Sequence, residues 1–400
     1  MTKDMSPEEI AKDYSNREHA SIKHRLLEEY LKALFLIIGM ASDRSGVTEL
    51  CYVDCFAGPW LDDSEDLKTT SIAISMAILK CCEIELQKQG KRVRFRALYV
   101  EKNRTAFKRL QQYLISHTPE GIESEALQGD FVDLRNKILH WCGTKSFAFF
   151  FIDPKGWTEV SINVLKIILE RPRSEFLINF MYDFLNRAVS ILSVQAPITE
   201  LLGELPNVGG LQPKAREKEL LRIYRKNLKN KIRQNNRYPA RSAYVSVQDP
   251  AKDRTKYDLV YLTSHPLGII RFMEISEKLD LVQKRVRAAT KQHKRILKSG
   301  QDELFPSHEL IDEDEGRGRP VEVELFWLKQ LSYTPNRFDS HKFADLLEET
   351  DWFPGDLQEA LGRLIASGKV INVDARGKRR KHFLHHDKGG ELLQLTGKVQ

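Results

Sequence analysis

No two of the five cysteines, Cys51, Cys55, Cys81, Cys82 and Cys142, are spaced as C-x-x-C. That excludes the usual frames of a structural zinc site or an iron–sulfur cluster. The count is odd, and two of the cysteines fall in strand-like apolar runs, so they read as buried free thiols in a reducing compartment. No apolar run is long enough to cross a bilayer: the richest early one, YLKALFLIIGMA at 30–41, is short and carries Lys32. The opening MTKDMSPEEIAKDYSN is charged and lacks an apolar signal core, so the chain reads as cytoplasmic with no membrane partner. Internal repeats and low-complexity tracts are missing as well.

What is present suits a globular protein. Of 400 residues, 41% are hydrophobic and 30% charged. That length allows a sizeable core and more than one domain. A net charge of +7 admits a polyanionic partner without requiring one.

Residues 17–40 carry Leu27, Leu31, Leu34, Phe35 and Ile38 at helical spacing, the centre of an N-terminal helical segment 1–45. From 46 to 280 apolar runs alternate with helical patterns. ELCYVDCFA, VRFRALYVEKN, EALQGDF, SFAFFFIDPKGW and EFLINFMYD read as strands, and Thr70 as the N-cap of a helix opening at Ser71. Strands apolar on both faces indicate a parallel sheet with helices on each side, a Rossmann-like α/β fold. A helical insertion with a basic tail occupies 187–241. SAYVSVQDP and YDLVYLTSHPLGIIRFMEI follow as late strands, the second running into a helix, that close the sheet as an antiparallel edge. Residues 281–320 turn basic, then acidic and Gly/Arg-rich, and read as a linker. The C-terminal domain, 321–400, has two helices and then INVDARGKRRKHFLH, two short strands around a basic turn, a winged-helix-like pattern.

The chemistry should lie where the strands end. Asp54 ends the first, Glu101 the second, Asp130 follows the third and Asp153 the fourth. In an open α/β sheet ligands bind at those carboxyl ends. The turn Phe56-Ala57-Gly58-Pro59 lets backbone approach a ligand. Glu101 can accept from two ribose hydroxyls. Asp130 can accept from an adenine amine, with Phe131 as an apolar wall. The turn is no dinucleotide loop, because Trp60 stands at the third glycine position. Asp62, Asp63, Glu65 and Asp66 would also repel a pyrophosphate. S-adenosylmethionine, a sulfonium without phosphate, suits an acidic loop better. In Asp153-Pro154-Lys155-Gly156-Trp157, the carboxylate can hold an amine beside the methyl group. Trp157 can stack on a flat substrate and Lys155 can meet a phosphate. Any one such acid serves as well to cap the next helix; four together favour a site. Lys23 and His24 could face the cofactor from the N-terminal helix, but the reading as solvated helix residues is favoured. Trp60 either gates the pocket or fills core.

Three basic stretches suit phosphate contact. The first, Lys214 to Arg241, holds Arg225, Lys229, Lys231, Arg233 and Arg237; the second runs from Lys284 to Lys298; the third holds Arg379, Arg380 and Lys381 on the presumed wing. The bland alternatives are a solvated helix face and a protein-binding wing.

VDCFAGPW, YVEKN, QGDF and FIDPKGW stand in the motif order of class I S-adenosylmethionine-dependent methyltransferases. DPKGW resembles the Asp/Asn-Pro-Pro-Tyr and Asp-Pro-Phe-Gly motifs of enzymes that methylate nitrogen atoms of nucleic-acid bases. More closely, SIKHRLLEEYLKAL, YVDCFAGP, YVEKN, FIDPKGW, LVYLTSHPLGIIRFMEI and QDELF, over roughly 21–305, resemble the three-Cys-motif partner protein family. The resemblance implies a methyltransferase-like fold, S-adenosylmethionine as cofactor and a radical-type three-Cys-motif protein as partner. It puts Asp54, Phe56 and Gly58 in the cofactor loop and Glu101 on the ribose. Asp130 and Phe131 fall at the adenine, and Asp153 with Pro154 at the catalytic corner. Three readings stand: a methyltransferase on a nucleic-acid base, DNA before RNA; a methyltransferase-like subunit without catalysis; and a methyltransferase acting on a protein or small molecule.

Overall fold

The computed structural model describes residues 18–42, 46–58, 70–189, 191–232, 238–249, 254–299, 316–375 and 382–397. The chain divides into two units, Met1–Ser264 and His265–Gln400.

In the first unit, α1 (Glu18–Met40) precedes five strand–helix steps. The strands are β1 (Thr48–Asp54), β2 (Val93–Glu101), β3 (Ile122–Gln128), β4 (Phe147–Ile152) and β5 (Ser174–Phe180). Between them run α2 (Ser71–Lys88), α3 (Arg104–His117), α4 (Phe131–Cys142) and α5 (Ile162–Leu169). Each crossover helix opens on a side chain that takes up a free N–H. Thr70 accepts from the Ala73 N–H, Asn103 from Thr105 and Ala106, Asp130 from Val132 and Ser161 from Val164. After β5 come α6 (Tyr182–Ala188), α7 (Gln195–Leu202) and α8 (Pro213–Lys229), the expected helical insertion. β6 (Arg241–Gln248) and β7 (Thr255–Thr263) complete a seven-stranded sheet of order β3-β2-β1-β4-β5-β7-β6. Strands β1 to β5 run parallel, and β7 is antiparallel to both β5 and β6. The late pair therefore closes the sheet with one reversed strand. β3 departs from expectation. It begins at Ile122 and reads IESEALQ, with polar residues between apolar ones. It is the edge of the sheet, where two covered faces are not needed.

The sheet has two unlike faces, because successive side chains alternate sides. Cys51, Val53, Leu98, Val100, Phe150, Ile152, Phe176 and Ile178 point into an apolar core shared with α4, α5, α7 and α8. The intervening residues face the other way, towards α1. Tyr52 meets Tyr99 at 6.0 Å and Phe149 at 6.4 Å between ring centroids, and Tyr30 of α1 lies 6.0 Å from Phe149. On this second face a buried carboxylate anchors the helix. Tyr30 donates to Glu175 at 3.0 Å, and Tyr261 and Thr263 of β7 donate at 2.7 Å each. Burial pushes the Glu175 carboxyl up, while its three hydroxyl donors pull it back.

The second unit begins earlier than the sequence suggested. α9 (Pro266–Ser299) is one continuous helix, so residues 281–299 belong to a folded element, not to a linker. The basic composition of that stretch hid the buried Val286, which continues the apolar stripe of Ile275 and Leu279. α9 packs on α11 (Ser340–Thr350) and α12 (Pro354–Ala366). The Glu277 carboxylate accepts from the Gly355 N–H in the first turn of α12 at 3.1 Å. α10 (Pro320–Gln330) buries Trp327, whose indole N–H donates to the Leu357 carbonyl at 2.8 Å. Three short strands, β8 (Asn336–Phe338), β9 (Val370–Asn372) and β10 (Glu391–Leu395), form an antiparallel sheet of order β8-β10-β9. The partner of β9 is ELLQL at 391–395, not the expected HFLH, which forms no strand from His382 on. Residues 376–381 of the basic turn lie outside the described residues. Among the described residues no helix is long and apolar enough to cross a membrane.

Tyr30→Phe should lower the unfolding free energy by about 1–2 kcal/mol, because it removes one of three donors to a buried carboxylate. Urea denaturation reads this directly. A midpoint equal to that of the wild type would mean the hydroxyl anchors nothing.

Candidate functional site

Asp54, the last residue of β1, is fully buried. Its carboxylate accepts from the Phe56 N–H at 3.1 Å and from the Ser71 hydroxyl, at the start of α2, at 2.7 Å. Burial pushes its pKa from 3.8 up to about 7, against the pull of those two hydrogen bonds. The neighbouring Asp153 charge raises it further and the Lys23 charge lowers it, so these three groups share one electrostatic environment. The chain leaves Asp54 through a turn that Gly58 closes with φ of 68°, a left-handed angle that side chains disfavour. Trp60 and the acidic residues 62–66 lie outside the described residues.

The loops after β1, β2 and β3 are stitched together. The Ala57 N–H donates to the Val100 carbonyl at 2.8 Å, and the Gly129 N–H to the Glu101 carbonyl at 3.1 Å. Phe56 and Phe131 meet at 5.0 Å between ring centroids. Glu101 is buried and accepts from the Asn103 N–H through one oxygen. Asp130 uses one oxygen to cap α4 and the other to pair with Lys102 at 2.6 Å, so its carboxylate is held well below its usual range by the ammonium beside it. The helix-capping alternative thus accounts for Asp130 in this structure. Phe131 is buried.

At the end of β4, Asp153 takes the Asn179 amide at 2.6 Å on one oxygen and the Lys23 ammonium on the other. The Lys23 and Asp153 side chains are only 14% and 18% exposed. The Lys23 nitrogen also lies 5.9 Å from the centre of the Tyr257 ring, on β7. Asn179 is buried, and its carbonyl oxygen has no hydrogen-bond partner among the described residues. Pro154 is buried, Lys155 is exposed, and the half-buried Trp157 packs against the apolar core.

Asn179 and Ser71 join this corner although the sequence pattern did not point to them, and Lys23, for which the solvated reading was favoured, is there as well. A signal for Lys23 existed. It falls on one helix stripe with Leu27, Tyr30 and Leu34, all of them buried, so the lysine had to lie against protein. Nothing local in the sequence singles out Asn179.

The basic residues divide. Arg225 is a correction: it is buried, donates to the Ser242 carbonyl at 2.7 Å and lies 5.0 Å from the Tyr244 ring, so it ties α8 to β6 and cannot meet a phosphate. The apolar stripe of α8 runs through that position. Lys229 and Lys231 are half-buried near the end of the helix. Nearby, Arg222 pairs with Glu219 and Lys226 with Glu204. Arg233, Arg237, Arg379, Arg380 and Lys381 lie outside the described residues.

No protein-family model matches the chain, and no curated protein matches it either. Among solved structures it is similar to protein LPL1258 from Legionella pneumophila, at 12% identity over 67% of this chain and 92% of that one, with a TM-score of 0.35. It is also similar to a dimethyladenosine transferase from Plasmodium falciparum, at 12% identity over 84% and 95%, TM-score 0.27. A loganic acid methyltransferase with SAH matches at 10% identity over 72% and 86%, TM-score 0.25.

The Asp54 carboxyl makes stability depend on pH with a definite sign. Folded, it holds its proton up to about pH 7, whereas its ordinary value is 3.8. Its contribution is fully present below the lower value and is lost as pH rises through the upper one, ~1.4 kcal/mol for each pKa unit. Asp54→Asn should therefore lose less stability than wild type between about pH 5 and pH 8.5. Urea midpoints at the two pH values check this, and equal losses in both proteins would refute it.

Proposed function

We propose that the protein is an S-adenosylmethionine-dependent methyltransferase that modifies a nitrogen of a nucleic-acid base. The observation that carries this reading is the gathering of Asp54, Asp153, Asn179 and Lys23 at the carboxyl ends of β1, β4 and β5. The sheet order with its one reversed strand is also that expected of a class I methyltransferase sheet.

The donor set fits a cation. A buried carboxyl at Asp54 that titrates near neutrality is stabilised as an anion by a positive ligand. Glu101 ends the neighbouring strand, where one carboxylate oxygen remains to accept from ribose hydroxyls. The Phe56–Phe131 pair supplies an apolar side for a flat purine. S-adenosylmethionine supplies the methyl group as an electrophile. The protein's task is to hold the amine in line with it, a matter of position. Asp153 accepts a hydrogen from the amine, which aims the nitrogen lone pair away from the carboxylate. As the nitrogen–carbon bond forms and the sulfur–carbon bond breaks, the amine's surplus proton passes to Asp153 or to water. Trp157 stacks on the base, and a base in a duplex would first have to leave the stack.

Lys155, Lys229, Lys231 and the basic residues beyond Ile232 supply phosphate contacts in this reading. In the second unit, the order helix, strand, helix, helix, strand, strand reads as winged-helix-like. RGKRRK, residues 376–381, falls between β9 and β10 where a wing would carry it.

One observation favours a rival. Asp153 is already paired with Lys23, as it would be if the corner were purely structural and the chain a non-catalytic, nucleic-acid-binding subunit. Calorimetric titration with S-adenosylmethionine separates the two. Binding is expected, and Glu101→Ala should weaken it by about tenfold or more. Asp153→Ala should keep the cofactor and lose transfer. Absence of binding at millimolar cofactor would end the enzymatic reading. Nucleic-acid affinity should fall by at least about tenfold between 50 and 200 mM salt; an affinity indifferent to salt would remove the phosphate contacts.

A further inference from the structure

Resting on the methyltransferase reading, we infer that Lys23 is a specificity-determining residue: with Asp153 it forms a donor–acceptor pair that reads an exocyclic amine beside an unprotonated ring nitrogen.

Geometry and chemistry carry this together. Lys23 comes from α1, far in sequence from the strand ends, yet its ammonium sits on the Asp153 carboxylate and near the Tyr257 ring. An ammonium has three donors and no acceptor, and a carboxylate has acceptors only. The bond to Asp153 uses one of the lysine's donors. The carboxylate spends one interaction on Lys23 and one on Asn179, leaving lone pairs on both oxygens. A ligand edge at this corner thus meets a donor and an acceptor side by side. An exocyclic amine beside a bare ring nitrogen satisfies both: the amine donates to Asp153 and the ring nitrogen accepts from Lys23. Adenine and cytosine carry that edge. On the Watson–Crick edge of guanine or uracil, a carbonyl lies beside a protonated ring nitrogen. Such an edge can offer its carbonyl to Lys23 and its ring N–H to Asp153; uracil then puts no amine against the carboxylate, and the guanine amine, set beside a protonated ring nitrogen, gives Lys23 no ring acceptor.

The test uses the full chain with S-adenosylhomocysteine bound, so that no turnover is needed. Adenosine, cytidine, guanosine and uridine are titrated by saturation-transfer NMR into wild type, Lys23→Met and Lys23→Arg. Melting curves verify that each variant folds, and cofactor titrations verify that each loads. Wild type should bind adenosine or cytidine about tenfold better than guanosine and uridine. Lys23→Met should erase that preference with cofactor affinity changed by less than about threefold, and Lys23→Arg should keep it. Equal binding of all four nucleosides overturns the inference, as does no nucleoside binding by cofactor-loaded protein. So does a preference that survives Lys23→Met, which would leave the lysine as a helix anchor. These failures spare the methyltransferase reading, whereas failure of wild type to take up cofactor removes both. If Lys23→Met does not fold, Lys23→Gln takes its place: loss of the preference in that folded variant supports the inference, and survival of the preference overturns it.

Discussion

The site depends on how α1 is laid along the sheet. Tyr30 bonds Glu175 at the start of β5, and Lys23 bonds Asp153, which bonds Asn179 near the strand's end. The helix therefore runs against the strand. Seven helical residues rise ~10 Å, and four strand residues rise ~13 Å. The two spans agree to within the reach of a lysine side chain. Once the tyrosine is fixed at one end, the lysine falls beside Asp153 at the other. Leu27, between them on the same stripe, is fully buried, so the stretch cannot rotate without exposing it.

The two faces of the sheet divide the labour. One is a largely apolar core that secures the fold. The other buries several acids, among them Glu175 and Asp54, whose surroundings differ. Glu175 is wrapped by three hydroxyls at the amino end of β5. Asp54 sits at the opposite end with one backbone donor and one serine. Both are pushed up by burial, but only Asp54 has charged neighbours that a ligand could join. The first acid is a joint, while the second is open to change.

Much of this was legible in the sequence. Apolar runs ending in acids identify parallel strands and their carboxyl ends, because burial on two faces leaves few other patterns. The two late strands were visible for the same reason. Positions that depend on contact between distant segments were not visible. Asn179 sits in EFLINFMYD like any polar residue in a strand, and only the neighbouring β4 gives it a partner. Arg225 was hidden by the basic composition of its helix as a whole. A basic helix with one apolar stripe must bury whatever lies on that stripe, and a long guanidinium stem tolerates it. The unit boundary was obscured in the same way: charge changed near 281, but the helical period did not.

Charge at the corner suggests why two carboxylates and one ammonium are kept together. With Asp54 protonated, Asp153 and Lys23 cancel and the buried corner is neutral, which low polarity demands. A cationic ligand would disturb that balance unless a compensating negative charge appeared. Asp54, poised near neutrality, can provide it by releasing its proton, and the total returns to zero.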